Sequence, residues 1–344
     1  MNTHYHLINC DTLSILKNFI RDGEIGIRMP PFNDNKNPKD QIDSKVRMCW
    51  DIFADIARIK KGDYVFLHSE GRIIGLFVVI NDPFIVNDFV NIFSNITKEH
   101  WKANSQEVID IIANRNFIVK IPIAKVIDYD FVPMSIIFDY IVKGLITSLP
   151  IRLRYEDKNK TIKGIMRKDF AIINNIFKNF FPNAVHVDVD LSRIPHKPTN
   201  IKYDIEEDCY EKNLEAFLVN YFRRNDFNVL NTVPVGYLKM VDLLTWLETE
   251  DRFIHYVNIW ELKSDKTHYK NFNLFKKEMQ EIQNRSSFLP QFFNQNLISV
   301  TANFVAKRYW DNFDQDTDKL ILPIGNINKI NFYQIPLNLI KEVM

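Results

Sequence analysis

Met240-Val241-Asp242-Leu243-Leu244 and Ile259-Trp260-Glu261-Leu262-Lys263 decide how this chain is read. Each is a short apolar run, and the second is rich in β-branched and aromatic residues, which is how strands of a buried sheet read. Residues i and i+2 of a strand project to the same side, so Glu261 and Lys263 point together. With Asp242 on the neighbouring strand, two carboxylates and an ammonium converge on one point. Acids inside apolar runs are seldom buried without a partner or a metal. Hard oxygen ligands of this kind hold Mg²⁺, which keeps several waters and contacts substrate phosphate. The ion polarises a phosphoryl oxygen and lowers the pKa of bound water. A nearby lysine orients that water or offsets charge in the transition state. The combination points to metal-assisted phosphodiester hydrolysis.

The bare pattern of an acid, any residue and Lys also occurs at Asp34–Lys36, Asp43–Lys45 and Glu156–Lys158, all in polar stretches. Only Glu261–Lys263 closes an apolar run and follows an isolated acid inside another. The alternative is that Asp242 ends a strand and Glu261–Lys263 is a surface ion pair. Around this pair the spacing predicts an α/β arrangement with a central sheet. A helix comes first, with Leu214, Phe217, Leu218, Tyr221 and Phe222 on one face and Glu215 among them. Strands follow at Asn228–Val233, Leu238–Leu247 and His255–Leu262. Then come a helix at Leu274–Asn284, a strand at Leu297–Phe304, a helix, and a last strand near Lys319–Pro323.

The order Glu215, Asp242, Glu261-x-Lys263, followed by a helix with Gln280 and Gln283, resembles the PD-(D/E)xK nuclease superfamily, the restriction-endonuclease-like fold, over about residues 205–344. The resemblance implies that Glu215, Asp242, Glu261, Lys263 and Gln280 or Gln283 are catalytic. It implies that Asp242 and Glu261 hold Mg²⁺, with Mn²⁺ as a substitute. One departure is Val241, where the family's motif has Pro.

The preceding half reads differently. Strands are expected at Tyr5–Cys10, Glu24–Met29, Asp63–His68, Ile73–Ile80 and Phe117–Val126, with a hairpin opened at Gly62-Asp63 and turned at Ser69-Glu70-Gly71. Helices are expected at Ser44–Ile59, with Val46, Trp50, Phe53, Ala54 and Ala57 on one face, and at Lys168–Phe180. This is a small mixed β-barrel with helices around it. Ile25-Gly26-Ile27-Arg28, Lys61-Gly62-Asp63-Tyr64-Val65-Phe66-Leu67-His68 and Arg72-Ile73-Ile74-Gly75-Leu76-Phe77 resemble the PUA-like group that includes EVE and YTH domains, over residues 1–180. That resemblance implies recognition of a flipped, modified base in an aromatic cage. Trp50 and Trp101 are the cage candidates; Trp50 on an apolar helix face reads equally as core. His68 ends a strand, within reach of a ligand or satisfied structurally. Seven basic residues between Arg152 and Lys168 read either as a phosphate track or as a solvated hairpin.

Composition sets the outer bounds. The chain has 344 residues, enough for two domains. The stretch from Pro182 to Glu211, with Pro195, Pro198 and the acids Glu206-Glu207-Asp208, marks the division. The expected organisation is a base-recognition domain at 1–180, a linker at 181–204 and a nuclease domain at 205–344. The net charge of +1 excludes a chain-wide polyanion-binding surface. With only 9 Gly and neither GxGxxG nor GxxxxGK[ST], nucleotide-binding loops are not expected. Cys10, Cys49 and Cys209 lack disulfide or zinc spacing. Without a signal-like start or a long apolar run, a cytoplasmic location is expected. The expected function is a Mg²⁺-dependent endonuclease acting on DNA, in modification-dependent restriction or antiphage defence, with a homodimer cutting two strands. Two alternatives stay open. One is a nuclease whose first domain senses another ligand or DNA shape; the other is a non-catalytic nucleic-acid-binding protein.

Overall fold

The computed structural model describes residues 2–28, 35–86, 106, 117–149, 162–203, 211–235, 240–248, 253–263, 271–295, 297, 299–320, 326–335 and 337–343; for 42–50, 117, 118, 234 and 255 it describes the backbone alone. The chain forms two compact units, Thr3–Tyr203 and Asp204–Met344. Each is a mixed α/β arrangement around its own sheet. Among the described residues no helix is long and apolar enough to cross a membrane.

The first unit runs β1 (Tyr5–Asn9), α1 (Leu13–Asp22), β2 (Glu24–Arg28), α2 (Pro38–Ala57), β3 (Tyr64–Ser69), β4 (Arg72–Val79), β5 (Phe84–Ile85), β6 (Phe117–Pro133), α3 (Met134–Val142), β7 (Ile162–Ile165) and α4 (Arg167–Phe180). Its sheet has the order β2-β6-β4-β3-β1-β7, with β5 beside β6. Strand β6 is long enough to serve two partners: Phe117–Pro122 pairs with β2, and Ile123–Pro133 pairs with β4. That sharing curls the sheet. Among the described residues the end strands β2 and β7 do not pair with each other, and the expected barrel is a curled half-barrel sheet there.

Local chemistry explains the turns. Glu70 (φ 47°) and Gly71 (φ 72°) both take left-handed backbone between paired Ser69 and Arg72, the geometry a two-residue hairpin needs. Gly75 (φ 59°) sits where β4 slips register against both β3 and β6. A Cβ there would meet the Phe77 ring at 2.6 Å. Asp63 is buried, accepting from the His4 and Lys60 N–H groups at 2.9 Å each and lying 3.1 Å from the His6 ring nitrogen. It therefore ties the start of β3 to β1, which runs parallel to it. Helix α4 closes the core: Phe170 stacks on Tyr5 at 4.1 Å, and Phe177 meets Phe66 at 5.3 Å and Tyr129 at 4.9 Å.

Of the expected linker at 181–204, residues 181–203 belong to this unit. Val187 N–H donates to Val126 C=O, and Asp128 N–H to Val185 C=O. Asn200 exchanges hydrogen bonds with both backbone groups of Ile85. Prolines fix φ at three points along the segment, a 3-10 turn spans Leu191–Arg193, and the Lys197 N–H donates to the Asn81 side chain at 2.8 Å.

The second unit runs α5 (Glu211–Arg224), β8 (Asn228–Pro234), β9 (Met240–Glu248), β10 (Ile254–Lys263), α6 (Phe272–Ser286), α7 (Leu289–Phe293), β11 (Ser299–Ala306), α8 (Phe313–Thr317), β12 (Ile327–Gln334) and β13 (Asn338–Val343). The sheet order is β13-β12-β11-β10-β9-β8. Strands β8, β9 and β10 form an antiparallel meander, and β10, β11 and β12 are parallel. Parallel pairing demands crossovers, supplied by α6–α7 and α8. Phe275 of α6, fully buried, packs on Phe304 at 4.9 Å and Phe332 at 5.4 Å. On the opposite face Phe222 of α5 meets Trp260 at 4.9 Å. The last strands differ from the expectation near Lys319–Pro323: Lys319 and Leu320 form a turn after α8, and residues 321–323 lie outside the described set.

Candidate active site

Register brings the acids together. In the β9–β10 pair, Leu244 faces Ile259 and Leu243 faces Trp260, so the next pair in sequence is Asp242 with Glu261. Regular pairing stops there. The Asp242 carboxylate instead accepts the Leu262 backbone N–H at 2.8 Å, which fixes it between Glu261 and Lys263. Lys263 Nζ donates to Glu261 Oε1 at 2.8 Å and lies 3.9 Å from Glu278 of α6. Across Glu261, Arg285 of α6 donates to Oε2 at 3.3 Å, and its other terminal nitrogen reaches Glu281 at 3.4 Å. Glu261 is thus bracketed by two cations, each shared with one acid of α6.

The charges do not balance at ordinary pKa values. Burial holds the Asp242 carboxyl well above the usual carboxylate range. Glu261 and Glu211 reinforce that shift against the pull of Lys263 and the Leu262 N–H. Burial likewise raises Glu211, against Lys263 and Lys212. For Lys263 the burial penalty is outweighed by Glu261, Asp242 and Glu211, and the ammonium is held above the ordinary lysine value.

Glu211 is the residue that the spacing did not single out. Glu215, the helix acid expected at this site, is buried on another set of partners. It accepts from Lys212 Nζ at 2.6 Å, Asn231 Nδ2 at 2.6 Å and the Thr232 hydroxyl at 3.4 Å. Glu211 lies one helical turn earlier, at the start of α5, and its charge acts on Asp242 and Lys263. The i, i+4 relation of Glu211 to Glu215 puts both on one helix face, the signal by which the sequence offers it. Gln280 is exposed, on the side of α6 away from Glu278, Glu281 and Arg285; Gln283 is half-buried. The spacing of 278, 281 and 285 marks the α6 face that meets β10.

A hard divalent cation suits this donor set. Two carboxylates on adjacent strands are oxygen donors, and the burial strain on Asp242 is what a positive ion relieves. Among the described residues no three His, Cys, Asp or Glu side chains form a protein-only cage. Mg²⁺ is ordinarily held by one or two carboxylates, with waters and substrate phosphates completing its shell.

No family model and no curated protein matches this chain. Several solved structures show a partial likeness. The YTH domain of Zygosaccharomyces rouxii MRB1 protein, in complex with N6-methyladenosine RNA, is 13% identical; the match covers 52% of this chain and 88% of that one, at a TM-score of 0.27. The Pho92 YTH domain in complex with m6A is 14% identical over 51% of this chain and 86% of that one, at 0.27. Human THYN1 protein, in complex with DNA containing 5-methylcytosine, is 11% identical over 51% and 98%, at 0.28. At these values the likeness identifies no family, and the site stands on its own residues.

In the first unit, Trp101 lies outside the described residues, and Trp50 falls in α2 where only the backbone is described. Residues 152–160 of the basic run are likewise outside the described set. Of the rest, Lys163 is buried on β7, and Lys168 donates to the Thr147 hydroxyl at 2.8 Å and pairs with buried Asp169 at 3.3 Å. These two lysines serve packing and ion pairing. Arg167, which starts α4, is exposed. His68 is half-buried, with Nδ1 2.9 Å from Asn9 Oδ1, and burial followed by the nearby Lys163 charge depresses its pKa.

Proposed function

We propose that this chain is a Mg²⁺-dependent nuclease that hydrolyses DNA phosphodiester bonds in its second unit. In the same reading the first unit recognises a base, in modification-dependent restriction or antiphage defence. The observation that carries it is the 2.8 Å hydrogen bond from Leu262 N–H to Asp242. It holds one strand's carboxylate against the Glu261–Lys263 pair of the next.

Asp242 and Glu261 are the residues that would hold Mg²⁺, with Mn²⁺ able to replace it. When bound, the ion supplies a Lewis acid for a phosphate oxygen and a lowered pKa for a coordinated water. The chain's own groups do the remainder. Lys263, kept protonated by the acids around it, offsets negative charge on the phosphate as the transition state forms. Glu211 adds a carboxylate at the same cluster, able to accept a proton or orient a water. Leu262 N–H fixes the orientation of Asp242, so the acid need not reorganise during the reaction.

For the first unit the reading rests on the Gly62-Asp63 hairpin entry and on Gly75 in the second strand, both within the segments that resemble the PUA-like group. A homodimer completes the reading, since one cluster per chain cuts one strand at a time.

The test is nicking of supercoiled plasmid, taken from modifying and non-modifying hosts, by the intact protein in Mg²⁺ or EDTA. Mg²⁺-dependent nicking that favours modified plasmid is expected. Nicking of both plasmids alike removes the base-reading half. No nicking in either ion condition removes the hydrolytic half.

A further inference from the structure

Arg285 stands out because it touches the metal-holding acid without belonging to any expected motif. It is nearly buried, and it spans two carboxylates: Glu261 Oε2 at 3.3 Å and Glu281 Oε2 at 3.4 Å. Its Nε–H finds no partner among the described residues, so the guanidinium is not fully anchored. The competing cation on Glu261, Lys263, holds Oε1 at the shorter distance of 2.8 Å. Each oxygen of Glu261 therefore accepts from a positive group, and a divalent cation that takes a remaining lone pair of either oxygen meets the repulsion of its neighbour.

From this arrangement we infer that Arg285 is a resident counter-ion. It bridges Glu261 Oε2 and Glu281 while the site is metal-free, and it gives up Glu261 and keeps Glu281 when a divalent cation binds. The inference rests on the reading of Asp242 and Glu261 as metal ligands. Three features decide that Arg285 yields and Lys263 stays. Its contact to Glu261 is the longer one. Its second acceptor, Glu281, is already in contact at 3.4 Å one helical turn away on its own helix, the i, i+4 spacing at which acids and bases meet, and can hold it when Glu261 is given up. And Lys263 is further bound by the fields of Asp242 and Glu211. The arrangement keeps Glu261 ionised and oriented beside Asp242 without metal. It also sets a threshold, because each binding event works against the Arg285–Glu261 attraction. Arg285 is thus a positioning residue acting through Glu261; it contacts no reacting atom.

The experiment is calorimetric titration of Mn²⁺ into the intact protein at fixed pH and ionic strength. The proteins are the wild type, Arg285→Met, Glu281→Gln and the double variant. Arg285→Met is expected to bind Mn²⁺ about tenfold more tightly, equivalent to about 1.4 kcal/mol. Glu281→Gln keeps an acceptor oxygen but removes the charge that draws Arg285 off Glu261, and it is expected to weaken binding several-fold. Its side chain is 40% exposed, so this variant keeps the fold even where Arg285→Met does not. In the double variant the Glu281→Gln effect is expected to vanish. If Arg285 only shapes the site, both single variants weaken binding; that result, or no change in either, overturns the inference. A wild type that binds no Mn²⁺ overturns the metal-ligand reading itself and this inference with it. Binding with variants that fail to move oppositely overturns the inference alone.

Discussion

Replacing Lys263 with Met tests whether the cluster is held by charge. Methionine keeps an unbranched stem of similar length and removes only the ammonium. The charge lost lies 2.8 Å from Glu261 and 3.9 Å from Glu278, on side chains 13% and 10% exposed for the closer pair. At an effective dielectric near 20 those separations correspond to gross attractions of about 6 and about 4 kcal/mol. Desolvation of the ions cancels much of this, and breaking a buried pair by removing one partner ordinarily costs about 3–5 kcal/mol. Glu261 keeps Arg285 at 3.3 Å, so it is not left uncompensated, and the lower end applies. The expected loss is about 3 kcal/mol at pH 7, or about 10 °C in Tm for a unit of roughly 140 residues. The assay is urea unfolding of the intact chain followed by tryptophan fluorescence, since Trp246, Trp260 and Trp310 lie in this unit. The loss should grow as pH rises above the ordinary carboxylate range, because without the lysine Asp242 must ionise unaided. Adding Asp242→Asn should recover part of it, giving a coupling of about 1–2 kcal/mol. A loss below about 1 kcal/mol, or single-variant effects that add within about 0.5 kcal/mol, refutes the electrostatic account.

Asp242→Asn by itself should stabilise the chain. The native acid is held above its unfolded value, so the native state binds the extra proton and loses stability as pH rises from about 4 through the folded value. The variant's advantage over wild type should therefore widen with pH in a denaturation series; an advantage that shrinks as pH rises contradicts the assignment. Phe275→Ala should cost about 3–5 kcal/mol, because the ring is fully buried against Phe304, Phe332 and Trp310, and a loss under about 2 kcal/mol would show that the site collapses around the cavity. Asp63→Ala should cost at least about 2–3 kcal/mol in the first unit, since it strands the His4 and Lys60 amides, and protection of those amides from hydrogen exchange should fall; unchanged protection would contradict the tie.

The strands that carry the cluster were legible because their residues alternate between apolar and chemically costly types. An acid inside Met240–Leu244 and one at the end of Ile259–Lys263 need an explanation that only a site or a partner supplies. The two resemblances rested on the same local patterns. What the sequence hid was tertiary. Glu211 and Glu215 are chemically equivalent one turn apart, and the choice between them is made by Asn231 and Lys212, which hold Glu215 elsewhere. Arg285 lies 24 residues from Glu261, with nothing local to link them. Strand β12 gives a weak signal in the sequence, because Asn328, Lys329 and Asn331 interrupt its apolar pattern. In the fold, Asn331 is buried and donates to Asn303 of the adjacent strand at 2.9 Å, so its polarity is spent inside the sheet. In the first unit the curl depends on β6 serving two partners, and strand length alone does not announce that. The linker expectation followed from the prolines, whose backbone is extended in a free tether and in a packed edge alike.

Cleavage by Asp242→Asn tests the central claim most directly. That variant is expected to be at least as stable as the wild type, so lost activity cannot be ascribed to lost folding. The measurement is the rate of supercoiled plasmid nicking in Mg²⁺ by wild type and variant, both shown to be folded by their urea transitions. A wild type that nicks with Mg²⁺ and not with EDTA, beside a variant slower by about a hundredfold or more, is the result this account predicts. A folded Asp242→Asn protein that nicks at the wild-type rate would contradict it.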